Sequence, residues 1–111
     1  MAFEPVVTYE AWKLHDTMSG STSTNIPTGA KELYIKISVI VNSQYETYDT
    51  VIVLDSLESG INAIRNGYGW NNTGNMWALR INTISNTIDS AVLFVNSTDM
   101  LSSSTTKVYY R

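Results

Sequence analysis

The chain has 111 residues, of which 43% are hydrophobic and 15% are charged, and its formal net charge is −3. This length accommodates one domain, which we expect to span residues 1–111. The lack of cysteine excludes a disulfide framework and thiolate ligands, the acidic balance disfavours a nucleic-acid partner, and no apolar run approaches the roughly 20 residues that cross a bilayer.

Apolar and polar residues alternate along much of the chain, and nineteen residues are the β-branched types Val and Ile. The clearest alternation covers residues 31–41, where the odd-numbered positions are apolar and predict the buried face of a long strand. Residues 45–54 are apolar on both faces in their second half, which predicts a central position in a sheet. The predicted strands, in chain order, are 6–14, 31–41, 45–54, 76–84, 91–95 and 107–110, with the first and last as outer strands.

The segments between these strands differ in composition. Residues 18–25 and 101–106 are rich in Ser and Thr, and we expect them to be exposed loops. Residues 55–65 carry apolar side chains at helical spacing, but Gly60 disfavours a helix. An irregular connection or one short turn is therefore expected there.

Two turns are predicted from dipeptides. Asn66-Gly67 suits a type I′ hairpin turn, in which both central residues need positive φ, and Ser85-Asn86 is a second candidate. Short strands separated by turns predict an all-β fold, as a single antiparallel β-sandwich or jelly-roll-like domain.

Few residues offer catalytic chemistry. His15 is the only histidine, and we expect an exposed residue at a strand end rather than a catalytic base. The acidic residues near predicted loops are better explained as solvated charges than as a catalytic carboxylate pair; they are Asp55, Glu58, Asp89 and Asp99. The sequence therefore indicates a protein that is not an enzyme and has no metal or cofactor.

The segment 66–77 combines three aromatic residues, four asparagines and three glycines. Aromatic rings stack on the C–H faces of sugars, amides bind hydroxyl groups, and glycine lets a ligand approach the backbone, which together suit a neutral glycan. The alternative is that Trp70 and Trp77 cap the core within an ordinary hairpin, and Trp77 is expected in the core because it continues the apolar face of a strand. The candidate glycan-binding residues are Tyr68, Trp70, Asn71, Asn72 and Asn75.

A set of short motifs is spread over most of the chain. Residues 26–35 read Ile-Pro-Thr-Gly-Ala-Lys-Glu-Leu-Tyr-Ile, a loop with proline that leads into a strand. Trp12-Lys13-Leu14 precede it as an entry strand, and Gly67-Tyr68 and the alternating strand with Ile81 follow. The chain then closes with Ser-Ser-Ser-Thr-Thr-Lys-Val-Tyr-Tyr-Arg. Together these motifs resemble the C-terminal β domains of phage and prophage tail-fibre and related virion-surface proteins.

The resemblance implies a small β-sandwich at the virion surface that binds a bacterial surface polysaccharide and contacts other virion or tail proteins. It implies a homo-oligomer, with a trimer favoured, made in the host cytoplasm. The N-terminal residues show no signal peptide, and the charge and the short apolar runs predict neither nucleic-acid binding nor membrane insertion. It brings no catalytic residue. Two alternatives stay open: a purely structural decoration, collar or baseplate protein with protein partners only, and a polysaccharide-degrading enzyme, which would need a carboxylate pair in one cleft.

Overall fold

The computed structural model describes residues 11–67 and 75–111, and this part of the chain is built from short strands. The strands are β1 (Lys13–Ser19), β2 (Ser23–Asn25), β3 (Glu32–Val41), β4 (Gln44–Val53), β5 (Ile61–Gly67), β6 (Met76–Asn82), β7 (Thr87–Val95), β8 (Thr98–Asp99) and β9 (Thr105–Tyr110). Two short 3₁₀ turns accompany them, at Leu54–Ser56 and Leu101–Ser103.

The strands form two antiparallel sheets. Sheet A has the order β1-β9-β3-β4, and sheet B has the order β2-β7-β6-β5 with β8 paired to β7. This arrangement confirms the predicted all-β, antiparallel sandwich. The strands β3–β4 and β5–β6–β7 follow one another as simple hairpins, and the strand order does not by itself establish the jelly-roll form.

The hydrophobic core lies between the inner faces of the two sheets. Along β3, the odd-numbered residues from Leu33 to Val39 are buried and those between them are not, which confirms the alternation predicted from the sequence. Trp77 on β6 is 1% exposed and belongs to the core, as expected. The other buried core residues are Met18, Ile26, Ile52, Leu79, Ile81, Ile88, Leu93, Val95 and Val108.

Two strands of sheet A lie where the sequence did not place them. The prediction that residues 45–54 form a central strand is wrong, because β4 is an edge strand and its Val51 and Val53 are about half exposed. The prediction of an outer strand at 107–110 is also wrong, because β9 lies between β1 and β3. The outward apolar residues of β4 suggested a covered strand, but no layer of the described chain packs on that face of sheet A.

Three connections contain more regular structure than expected. The segment 18–25 is not simply a loop, because Met18 is buried on β1 and β2 follows. In 101–106, a 3₁₀ turn leads into β9, and Ser104 and Thr106 are each 2% exposed. Residues 55–65 contain one 3₁₀ turn, as expected, and then the start of β5. Polar composition indicated solvent exposure, which holds for most of 18–25. In 101–106 it does not hold for Ser104 and Thr106, whose small side chains are buried in the sandwich.

The hairpin turns use Asn-Ser rather than Asn-Gly. Asn66-Gly67 lie within β5, so the turn predicted there is wrong. Both residues of Asn42-Ser43 and of Asn96-Ser97 have positive φ and join paired strands through two-residue loops, the geometry of a type I′ turn. The turn predicted at Ser85-Asn86 is confirmed, with φ of 62° at Asn86.

Candidate functional site

The predicted glycan-binding residues fall mostly outside the described part of the chain. Tyr68, Trp70, Asn71 and Asn72 lie there, so the core and ligand interpretations of Trp70 both stay predictions. Asn75 is described and exposed, and its Oδ1 accepts a hydrogen bond of 2.8 Å from the Asn96 amide. That bond connects the start of β6 to the β7–β8 turn, so the side-chain oxygen of Asn75 has a structural role.

Trp77 is placed by packing rather than by ligand contact. Its indole is buried, and no described residue accepts a hydrogen bond from its Nε1. A buried N–H without a partner costs about 1–3 kcal/mol. Burial of the large indole surface in the sandwich offsets that cost, although the N–H of a buried tryptophan usually finds a partner.

A shallow groove of about 540 Å³ lies on the outer face of sheet B. It is defined here as the arginine groove, and its lining includes Ala63 and Arg65 from β5, Met76, Ala78 and Arg80 from β6, and Val92 from β7. Gly67 and Met76 are cross-strand partners at one end. The candidate segment 68–75 therefore connects the two strands at the Met76 end of the groove.

The strand register explains why a groove forms on an otherwise flat sheet. Ala63 lies opposite Arg80, and Ala78 lies opposite Arg65. Two small side chains thus leave a depression between two long ones, which are diagonal neighbours about 7–8 Å apart at the backbone. Asp89 lies opposite Arg80 on the β7 side. The groove combines an apolar floor with planar guanidinium donors.

A second surface, on the outer face of sheet A, was missed by sequence reasoning. The ring of Tyr34 lies 5.7 Å from that of Trp12 and 5.6 Å from that of Tyr109, measured between centroids. We call these three half-buried residues the aromatic row. The guanidinium of Arg111 lies 4.0 Å from the centre of the Trp12 ring and forms an ion pair of 3.4 Å with Glu32.

The hydroxyl of Tyr34 is held by an acidic neighbour. It donates a hydrogen bond of 2.7 Å to Asp49 on β4. That bond raises the pKa of Tyr34 to about 12, with smaller contributions from burial and from the Asp49 charge. The hydroxyl therefore stays protonated, and Asp49 is drawn back over sheet A.

The outer face of sheet A also carries most of the exposed apolar side chains. Of the seven large hydrophobic residues exposed in the described part of the chain, five share this face with the aromatic row. They are Leu14, Ile40, Tyr45, Val51 and Val53. Apolar side chains concentrated on one face are typical of a surface that another molecule covers.

His15 and Asp16 connect β1 to β2 through hydrogen bonds. His15 is half-buried at a bulge in β1, not exposed at a strand end as expected. Its Nε2 lies 2.9 Å from the Asn25 carbonyl oxygen on β2. Hydrogen bonds from the Thr24 side chain and the Thr17 amide lower the pKa of Asp16. At this bulge both side chains therefore contact β2, and they join sheet A to sheet B.

The remaining findings concern metal binding, membrane spans and similarity to known proteins. Among residues 11–67 and 75–111, no three His, Cys, Asp or Glu side chains lie together as metal ligands would. The described part of the chain has no helix of the length and apolar character that a membrane span requires. No protein-family model, curated protein or solved structure matches the chain.

Proposed function

We propose that this chain is a non-enzymatic virion-surface domain, of the kind found at tail-fibre tips, which binds a bacterial cell-surface glycan in the arginine groove. The observation that carries the proposal is the position of that groove. It adjoins the segment 68–75, whose aromatic residues and asparagines suit a saccharide.

The chemistry of the groove favours a sugar that carries carboxylate or phosphate groups. Arg65 and Arg80 present planar donors that match such groups, and they do so on a chain whose net charge is −3. The floor of Ala63 and Ala78 lets a sugar ring approach the sheet closely. A volume of about 540 Å³ is within the usual range for small-ligand sites, roughly 300–1,000 Å³.

The experiment is a titration of acidic and neutral bacterial polysaccharides, followed by tryptophan fluorescence and on a glycan array. We expect binding of an acidic polysaccharide, and Arg80→Ala should weaken it roughly tenfold or more, as expected for loss of a charged hydrogen bond. Lys36→Ala is the matched control, because it removes the same charge from the opposite sheet. Absence of binding by the assembled protein, or equal weakening by both variants, would contradict the proposal.

A second candidate function is purely structural. The exposed apolar residues on the outer face of sheet A favour a decoration, collar or baseplate protein whose partners are other virion proteins. Purified virion proteins immobilised in turn would be tested for capture of this chain. Capture that survives Arg80→Ala but not Leu14→Asp, with no response to any polysaccharide, would favour this role over glycan binding.

A further inference from the structure

Strand β4 leaves a long free edge on sheet A. It has ten residues, its pairing with β3 runs without a bulge, and no described strand pairs with its other side. Two other edges are short or interrupted, because β1 bulges between Leu14 and Asp16 and β2 has three residues. The edge of β5 is regular but has seven residues against the ten of β4. Natural proteins normally protect an edge by such devices, because a regular free edge pairs with other chains.

The hairpin geometry identifies the main-chain groups at this edge. The two-residue turn makes Val41 and Gln44 the first hydrogen-bonded pair, so even-numbered residues of β4 bond to β3. The bond of 3.0 Å from the Leu54 amide to the Lys31 carbonyl continues that pattern. The N–H and C=O groups of the odd-numbered residues, from Tyr45 to Val53, therefore point away from the sheet.

The side chains of the same odd-numbered residues make the edge apolar. Tyr45 is 74% exposed, and Val51 and Val53 are about half exposed. Asp49 is the one charge among them, and its hydrogen bond to Tyr34 pulls it back over β3. Three of the five side chains beside the free main-chain groups are therefore apolar, and the only charge is that of Asp49.

We propose that β4 of one copy pairs antiparallel with β4 of a second copy, with Tyr48 of each copy opposite Tyr48 of the other. This register pairs Tyr45 with Val51 of the second copy, an aromatic and β-branched pair of the kind that stabilises sheets. It places Asp49 opposite Thr47 and Glu46 opposite Thr50. Each acidic side chain thus faces a threonine.

The neighbouring register is less favourable. A two-fold axis through Asp49 would set two carboxylates directly opposite each other, and like charges at such positions destabilise a sheet. In the favoured register, four hydrogen-bonded residue pairs exchange about eight main-chain bonds. The two copies of sheet A then form one continuous eight-stranded sheet.

A second copy is the occupant that the strand itself specifies. When β4 lies antiparallel to a second copy of itself, apolar residues face apolar residues and acidic residues face threonines. A two-fold axis then closes the assembly after two copies. The inference goes beyond the proposed function, because the arginine groove lies on sheet B and stays open whatever ligand it takes. It replaces the expected trimer with a dimer that presents two grooves.

The register can be tested by introducing opposite charges at two positions that face each other across the two-fold axis. Sedimentation of the full chain over a wide concentration range should give a dimer. Tyr45→Lys or Val51→Glu alone should weaken dimerisation at least about tenfold, since each disrupts the apolar pair twice in the dimer. The double variant Tyr45→Lys with Val51→Glu should restore it, because the two new charges face each other.

Tyr45→Lys with Val53→Glu is the matched control and should not restore the dimer. Circular dichroism of each variant establishes that the monomer is folded. A wild-type monomer at every concentration, a trimer, or a dimer that resists both single changes would overturn the inference. Restoration by the control pair instead of the designed pair would overturn the register.

Discussion

At the scale of single residues, the hydrogen bond between Tyr34 and Asp49 predicts an unusual alkaline titration. Ultraviolet difference titration of the wild type against Tyr34→Phe should give a pKa of about 12 for Tyr34. Asp49→Ala removes the hydrogen bond and should return that pKa toward the ordinary value of about 10. Asp55→Ala removes a charge elsewhere and should leave it unchanged. An equal effect of both variants would contradict the assignment.

The same bond determines how stability depends on pH. The folded state keeps the Tyr34 proton while the unfolded chain loses it near pH 10, so this stabilisation is complete below pH 10 and is lost as pH rises toward 12. The free energy of unfolding should therefore fall more steeply across that window in the wild type than in Asp49→Ala. Urea denaturation at several alkaline pH values measures the slopes.

Residues on a strand are easier to predict than residues brought together by a sheet. Alternation alone identified the buried face of β3 and the core position of Trp77. The aromatic row could not be found in this way, because Trp12, Tyr34 and Tyr109 are far apart in sequence and meet only through the pairing of β1, β9 and β3. The arginine groove likewise depends on the β5–β6 register, which composition does not specify.

At the scale of elements, we expect alanine to lower the free energy of unfolding by different amounts at Gly20 and at Gly29. Both have positive φ, 67° and 78°, so alanine is strained at either position. A Cβ on Gly20 would also lie 3.4 Å from the Ser102 carbonyl oxygen, whereas nothing lies within 4 Å at Gly29. Gly29→Ala should cost about 1 kcal/mol in free energy of unfolding, and Gly20→Ala should cost more. Equal costs in urea denaturation would contradict the close approach.

The elements that were predicted wrongly have two different physical causes. The second half of β4 is apolar on both faces, which predicted a central strand, but its outward apolar residues are about half exposed at an edge of sheet A. In 101–106, a polar composition hid the burial of Ser104 and Thr106. The Ser104 hydroxyl donates a hydrogen bond of 2.7 Å to the Leu101 carbonyl, which compensates its burial.

At the scale of the whole molecule, the single core between the sheets predicts cooperative unfolding. Ile81→Ala, at a position that is 0% exposed, should lower the free energy of unfolding by about 2–5 kcal/mol. Ile84→Ala makes the same chemical change at a position that is 77% exposed, and should cost no more than about 0.5 kcal/mol. Fluorescence and far-ultraviolet circular dichroism should report one coincident transition for each variant. Two separate transitions would mean that the sheets unfold independently.

The position of β9 also determines the order in which the strands can pair as the chain folds. Sheet B gains β5, β6 and β7 from strands that follow one another in the chain and pair as neighbours, so they can form as soon as they leave the ribosome. Sheet A stays divided, because β1 has no partner within its sheet until β9 has been synthesised and has inserted beside β3. Insertion of that strand joins residues from the two ends of the described chain, a slow non-local step. Until then, the nascent chain exposes the apolar inner face of β3, and this interval is when it most needs protection from aggregation.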